Sequence, residues 1–191
     1  MMVLRTALGL LAVAIATPAL AHTADAAHGF AAGFVHPFSG TDHVLAMGAV
    51  GLWAQLVGGR ALWAWPLAFV SVTALGAVLG LQGHGLPGAE AAVALSVVAL
   101  GLTVSTRLPL TVAAGAAVCG AFALVHGFSH GAELPAGADA AGTILGFGVA
   151  TALLHALGIG FGVAISRPER IWLPRAAGAA VAATGLVILL G

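Results

Sequence analysis

Lysine is absent from the chain. That excludes a Walker A phosphate loop, which needs Gly-Lys-Ser/Thr, and any lysine Schiff base. Charge of either sign is scarce: 6% of the 191 residues are Asp, Glu, Lys or Arg, and the net charge is zero. A soluble domain carries roughly a quarter charged residues, so this chain cannot present a solvated surface over most of its area. Nothing in its charge suggests nucleic acid. One cysteine, Cys119, forbids an intramolecular disulfide and any Cys-x-x-Cys site. Three methionines complete the sulfur, two of them at the N-terminal Met1 and Met2. Soft-metal chemistry such as Cu(I) is therefore disfavoured.

Apolar residues are what the chain has: 61% of the total, with mean hydropathy +1.11. The expected class is an all-α integral membrane protein: a cleavable signal peptide followed by a six-transmembrane-helix bundle in one domain. Arg5, the short apolar core Leu8 to Ile15 and the small-x-small site Ala19-Leu20-Ala21 read as a secretory signal over residues 1–21. The competing reading is an uncleaved first membrane helix, for which the apolar core is short. The mature domain then covers 22–191. It opens with an apolar segment, Ala26 to Val35, too short to span. Pro37 lacks a backbone donor and Gly40 permits a turn. These predict a half-helix, a break, and a new helix from about Thr41, capped by Thr41 or Ser39.

Six spans follow, near 42–58, 61–82, 89–106, 109–129, 140–165 and 172–190, joined by short Gly- or Pro-punctuated links. Such links predict sequential helices packed as antiparallel neighbours. With an external N-terminus, Arg60, Arg107, Arg167, Arg170 and Arg175 all fall on the cytoplasmic side, as the positive-inside rule requires. Trp53, Trp63, Trp65 and Trp172 lie near the same helix ends and read as an aromatic belt. Gly142-x3-Gly146 and Gly158-x3-Gly162 have the spacing of close helix contacts.

The histidines show the opposite bias. All but His155 map to the external face or outer helix ends, together with Asp42, Glu90, Glu133 and Asp139. Within His36-Pro-Phe-Ser-Gly-Thr-Asp42-His43, two imidazoles and a carboxylate sit in eight residues. Ionisable groups are costly near lipid and are kept there mainly for a task. Imidazole with carboxylate suits nickel, cobalt or zinc. Asp42 can share a metal with His43 or orient its ring. His126 and His130, four apart on one helix face, repeat the chemistry about ninety positions later. Glu133 follows, although Gly131 and Pro135 weaken the case for helix there. The two clusters are expected to form one site, because the first span starts at the outer face and the fourth ends there.

His155 falls about 20 Å below the external start of its span. It reads as a relay ligand or as a histidine that simply bonds a neighbouring helix. His22, freed by cleavage, can chelate through its amine and imidazole, and His84 lies in an external loop. Cys119 is either a transit ligand or a small buried apolar residue.

Two stretches carry a resemblance. His36-Pro-Phe-Ser-Gly-Thr-Asp-His43-Val-Leu-Ala-Met47, followed by Val50-Gly-Leu-Trp-Ala54, and Val125-His-Gly-Phe-Ser-His-Gly-Ala-Glu133 resemble the HupE/UreJ family of nickel and cobalt permeases. The resemblance covers essentially the whole mature chain. It implies secondary uptake of Ni²⁺, sometimes Co²⁺, across a bacterial inner membrane, without a prosthetic group. It implies hydrogenase, urease or cobalamin synthesis, with their maturation systems, as the consumers. It also implies His36, Asp42, His43, His126, His130 and Glu133 as transport residues. The competing reading from the residues is an intramembrane zinc hydrolase using Ser39 or Ser129, weakened by the lack of His-Glu-x-x-His. A bis-histidine haem protein needs two opposed deep histidines, and only His155 is deep.

Overall fold

The computed structural model describes residues 29–83 and 86–191. The signal sequence, His22, His28 and His84 lie outside them. Seven α-helices account for almost all of the described chain: α1 (Phe30–Ser39), α2 (Thr41–Val57), α3 (Ala61–Gly80), α4 (Ala89–Thr106), α5 (Val112–Glu133), α6 (Ala140–Ile165) and α7 (Trp172–Leu190). A single 3-10 turn, Pro168–Arg170, precedes α7. No strand occurs among the described residues. Helices α3 to α7 are each long and apolar enough to cross a membrane. Leucines such as Leu67, Leu145, Leu157 and Leu190 point outward from these helices and are exposed. An outward apolar surface of this kind needs lipid as its solvent, so the protein is a membrane protein.

The helix α2 is different. At 17 residues it is shorter, and nine of those are buried, including Met47, Val50, Leu52 and Trp53. It runs through the middle of the bundle and touches α1, α3, α4, α6 and α7.

The expected break exists, but not at the proline. Pro37 is inside α1, and the chain turns at Gly40, whose backbone is extended (φ −103°, ψ 123°). Pro37 gives no hydrogen bond to the Gly33 carbonyl one turn back, and the helix ends two residues later. Neither expected cap forms. Ser39 Oγ bonds back to the Val35 carbonyl, and Thr41 is already helical. At the other motif, α5 continues through Gly131 to Glu133, four residues past the expected end.

Sequential packing, expected from the short links, is not where the closest contacts lie. The dominant pairs are α3 with α5, α4 with α7, and α6 with both α1 and α2. Glycine decides this. A Cβ on Gly76 or Gly80 would strike the α5 backbone at Leu124 and Phe128, and one on Gly127 or Gly131 would strike α3 at Thr73 and Ala77. Gly101 and Gly178 clasp α4 to α7 in the same way. Both glycine pairs singled out on α6 are contacts: Gly142 and Gly146 face α1, while Gly158 and Gly162 face α2. Backbones approach this closely only where side chains are missing.

The arginine-bearing links gather at one end. Trp53 Nε1 donates to the Leu108 carbonyl (3.1 Å), and Trp65 Nε1 to that of Val112 (2.8 Å). Ser166 Oγ bonds Gln55 Oε1 (3.1 Å), bringing in the link after α6. This corrects the aromatic belt. Trp63 and Trp172 are exposed as a belt requires, but Trp53 and Trp65 are fully buried and packed together, ring centroids 4.3 Å apart. Their helix faces point inward, so their indole N–H groups bond backbone carbonyls in the link before α5 and at its first residue instead of facing lipid.

Candidate metal centre

The opposite end of the bundle carries the imidazoles. His36 comes from α1, His43 from the first turn of α2, and His130 from the last turn of α5. On one unbroken helix, seven residues of separation would place His36 and His43 about 10.5 Å apart along the axis. The turn at Gly40 folds α1 back, so their ring centroids are 5.5 Å apart. His130 lies 4.5 Å from His36 and 4.6 Å from His43 by the same measure. One nitrogen from each of the three falls within 4.8 Å of the others.

That spacing can be compared with what an ion requires. Metal–imidazole bonds are about 2.1 Å, so two nitrogens on opposite sides of an ion are about 4.2 Å apart, and two at right angles about 3 Å. His43 Nε2 and His130 Nε2 are 2.5 Å apart. The three nitrogens are therefore close enough together that they could share one ion after a small opening of the His43–His130 pair. Three neutral imidazoles favour a borderline divalent ion. As a ligand set they would leave positions open for water or a further ligand, which would let the ion exchange.

The carboxylates stand behind the rings. Asp42 Oδ1 is 2.7 Å from His43 Nδ1 and also accepts the His43 backbone N–H (2.9 Å). An ionised carboxylate only accepts. Nδ1 therefore carries the proton, and the Nε2 lone pair points into the triad. Of the two roles open to Asp42, the structure displays the orienting one. Glu133 Oε2 stands 3.8 Å from His130 Nδ1, beyond hydrogen-bond range, and its side chain is 68% exposed. Like Asp42 at His43 it faces the Nδ1 side of the ring, but from three residues further along the helix and without a hydrogen bond. Phe147 of α6 closes the side of the cluster, 4.8 Å from the His130 ring and 5.9 Å from that of His36.

His126 is not one of the three. It lies one turn deeper on α5, fully buried, its ring 5.4 Å from His43. Its Nε2 is 2.9 Å from Ser96 Oγ of α4. That hydroxyl has one proton, donated to the Val93 carbonyl at 2.6 Å. It therefore accepts from His126 Nε2–H. The lone pair is left on Nδ1, which is buried without a partner. His155 is deeper still, 1% exposed, with neither ring nitrogen bonded. Between His126 and His155 sits Phe69, fully buried, its ring 5.7 Å from one and 5.2 Å from the other. Cys119 is buried in the apolar core, away from the triad.

Two cavities adjoin the triad. One of about 520 Å³ is lined by Asp42, His43, Glu90, Ser129, Glu133 and the C-terminal turn of α7. A smaller one, about 30 Å³, lies between α3, α5 and α6 and touches His130, Phe147 and Thr73. Sequence reasoning did not single out Ser96, Phe69, Phe147 or Thr73. For Ser96 and Thr73 a signal existed, a hydroxyl inside an apolar helix. For the two phenylalanines there was none.

The profile of the HupE / UreJ protein family matches residues 10–188. Protein HupE of Rhizobium leguminosarum bv. viciae is 46% identical over 180 residues, covering 93% of this chain and 94% of the relative. No solved structure matches the chain.

Proposed function

The chain belongs to the HupE / UreJ protein family, and on that premise we propose that it is a secondary transporter taking up Ni²⁺, and Co²⁺ as a close alternative, across a bacterial inner membrane. The observation that carries this is the convergence of His36, His43 and His130 on one point at the end of the bundle opposite the arginines. By the positive-inside rule, that end faces the periplasm. The three carboxylates around the larger cavity, Asp42, Glu90 and Glu133, attract a divalent cation and begin to replace its water. The triad then binds it. Asp42 orients the His43 ring, and the exposed Glu133 adds negative charge beside His130. His126 and His155 offer unbonded nitrogens along the way inward. His22, if exposed by signal cleavage, adds an external capture ligand.

Driving force follows from charge. A divalent cation moving inward gains about 4.6 kcal/mol per 100 mV of membrane potential, and with no lysine the chain has no Walker A loop for using ATP. The cargo would feed a nickel-enzyme maturation system such as that of hydrogenase or urease. A zinc hydrolase is disfavoured, because Ser39 and Ser129 each bond a carbonyl of their own helix.

The test is uptake. Full-length protein in sealed vesicles, with a Ni²⁺-sensing dye inside and an inside-negative potential, should accumulate the ion, and His43→Ala should abolish it. Equal dye signals from protein-containing and empty vesicles would overturn the proposal.

A further inference from the structure

A divalent ion leaving the triad enters dry helix packing, where a charge without ligands is prohibitive. The structure has a run of polar atoms there that structural needs do not explain. Thr73 Oγ1, Thr151 Oγ1 and both nitrogens of His155 are buried and bonded to nothing. All three residues are at most 3% exposed. Buried hydroxyls in helices normally bond the carbonyl one turn back, as Ser96 does here with that of Val93. Orphaned groups are rare enough that each needs a reason.

Their placement supplies one. The rings of Phe69 and His155 meet edge to face, 5.2 Å apart, and so mark one level where α3 and α6 face each other. Thr73 is one turn from Phe69 toward the triad, and Thr151 is one turn from His155 in the same direction. The two hydroxyl residues thus share a level just above His155. Thr73 also lines the 30 Å³ cavity that reaches His130. That volume holds one or two waters.

We infer that Thr73, Thr151 and His155 form a second cation station, entered from the triad through this cavity and walled from His126 by the Phe69 ring. It rests on the transport reading and extends it. The station would take the same divalent ion, with one imidazole and two hydroxyl oxygens, a weaker set than three imidazoles. Weak binding at depth is what onward movement needs.

Threonine to valine tests this with little change of shape. If the hydroxyls are structural leftovers, Thr73→Val and Thr151→Val, singly or together, leave uptake unchanged. If they are ligands, the double variant keeps its thermal midpoint or raises it, since two unsatisfied groups are gone. It binds Ni²⁺ at the triad within about twofold of the parent by calorimetry, yet its vesicle uptake falls about tenfold, on the scale of losing metal-shell support. Parent-like uptake in the double variant overturns the station. So does a loss of Ni²⁺ affinity matching the loss of uptake, because the threonines would then belong to the entry site. The two proposals fail separately. If the parent takes up Ni²⁺ and His43→Ala does not, an unaffected threonine variant removes the inner station alone. If the parent takes up none, the transport reading itself falls.

Discussion

Replacing Asp42 by asparagine separates its charge from its shape. In the native site one oxygen, Oδ1, holds both the backbone N–H and the ring Nδ1–H of His43. An asparagine carbonyl can keep both bonds at nearly the same geometry. What it removes is the negative charge, and charge-assisted hydrogen bonds are roughly twice as strong as neutral ones. The imidazole becomes a poorer donor toward the ion, and its tautomer is held less firmly. Losing an orienting partner of a metal-bound histidine costs about 10–100-fold in affinity or activity, or about 1.4–2.7 kcal/mol. The carboxylate is a quarter exposed, so water screens part of its effect, and Asp42→Asn belongs near the tenfold end. Asp42→Ala loses both bonds and belongs nearer a hundredfold. His43→Ala removes the ligand itself and should exceed both. Titration calorimetry with Ni²⁺ on detergent-purified protein gives the three affinities, and the visible spectrum of bound Co²⁺ reports the ligand set. For Asp42→Asn the Co²⁺ spectrum should keep the parent band positions. An affinity loss in Asp42→Asn equal to that of His43→Ala, with a changed spectrum, would show Asp42 to be a direct ligand and refute the reasoning. An unchanged affinity would refute it from the other side.

Two further outcomes follow from the bundle. A reporter active only in the cytoplasm should work when fused after Arg107 or Arg170 and fail after Gly137; the reverse pattern would place the triad on the cytoplasmic side. Gly127→Val should destabilise the α3–α5 contact by about 1–3 kcal/mol or more, because its side chain would meet the α3 backbone at Thr73 and Ala77; an unchanged thermal midpoint in detergent would show that the two helices can separate freely.

The helices were legible because hydropathy and punctuation are local. The expected spans agree with α2 to α7 to within a few residues at most ends. Partner choice was not legible. It depends on which glycines meet, and Gly76 or Gly101 looks like any other small residue until its opposite number is known. The tryptophans misled for a related reason: nearness to a helix end suggested a belt, while the buried face of Trp53 and Trp65 is set by what packs beside them. At the site, the spacing of His126 and His130 made them look equivalent. They differ because Ser96, on another helix, bonds the Nε2 of one, while His43 faces the Nε2 of the other. Nothing within either motif distinguishes those two fates.

The glycines and the ligands are one arrangement. His126 and His130 are each followed by a glycine, Gly127 and Gly131, that lies against the α3 backbone. A larger residue at either position would lift α5 away from α3 and carry both imidazoles with it. Four residues beyond Met47, Gly51 rests on the backbone of α6 at His155, and Gly158 of α6 rests on the Gly48 carbonyl. The depth of His43 relative to His155 is fixed by that contact. Cores packed this closely do not deform continuously. The distances between the triad, His126 and His155 are therefore properties of the helix pairs, and under the proposed transport an ion would change ligands at set levels instead of drifting through. Helix α1 joins the arrangement through α6, where Gly33 lies on the backbone of Thr143 and Gly146 on that of Phe30. It is ten residues long, packs on α6 and lightly on α2, and carries the most exposed ligand, His36. If the triad holds the ion as proposed, His36, exposed and on the shortest helix, is the ligand that can leave it with least disturbance to the long helices.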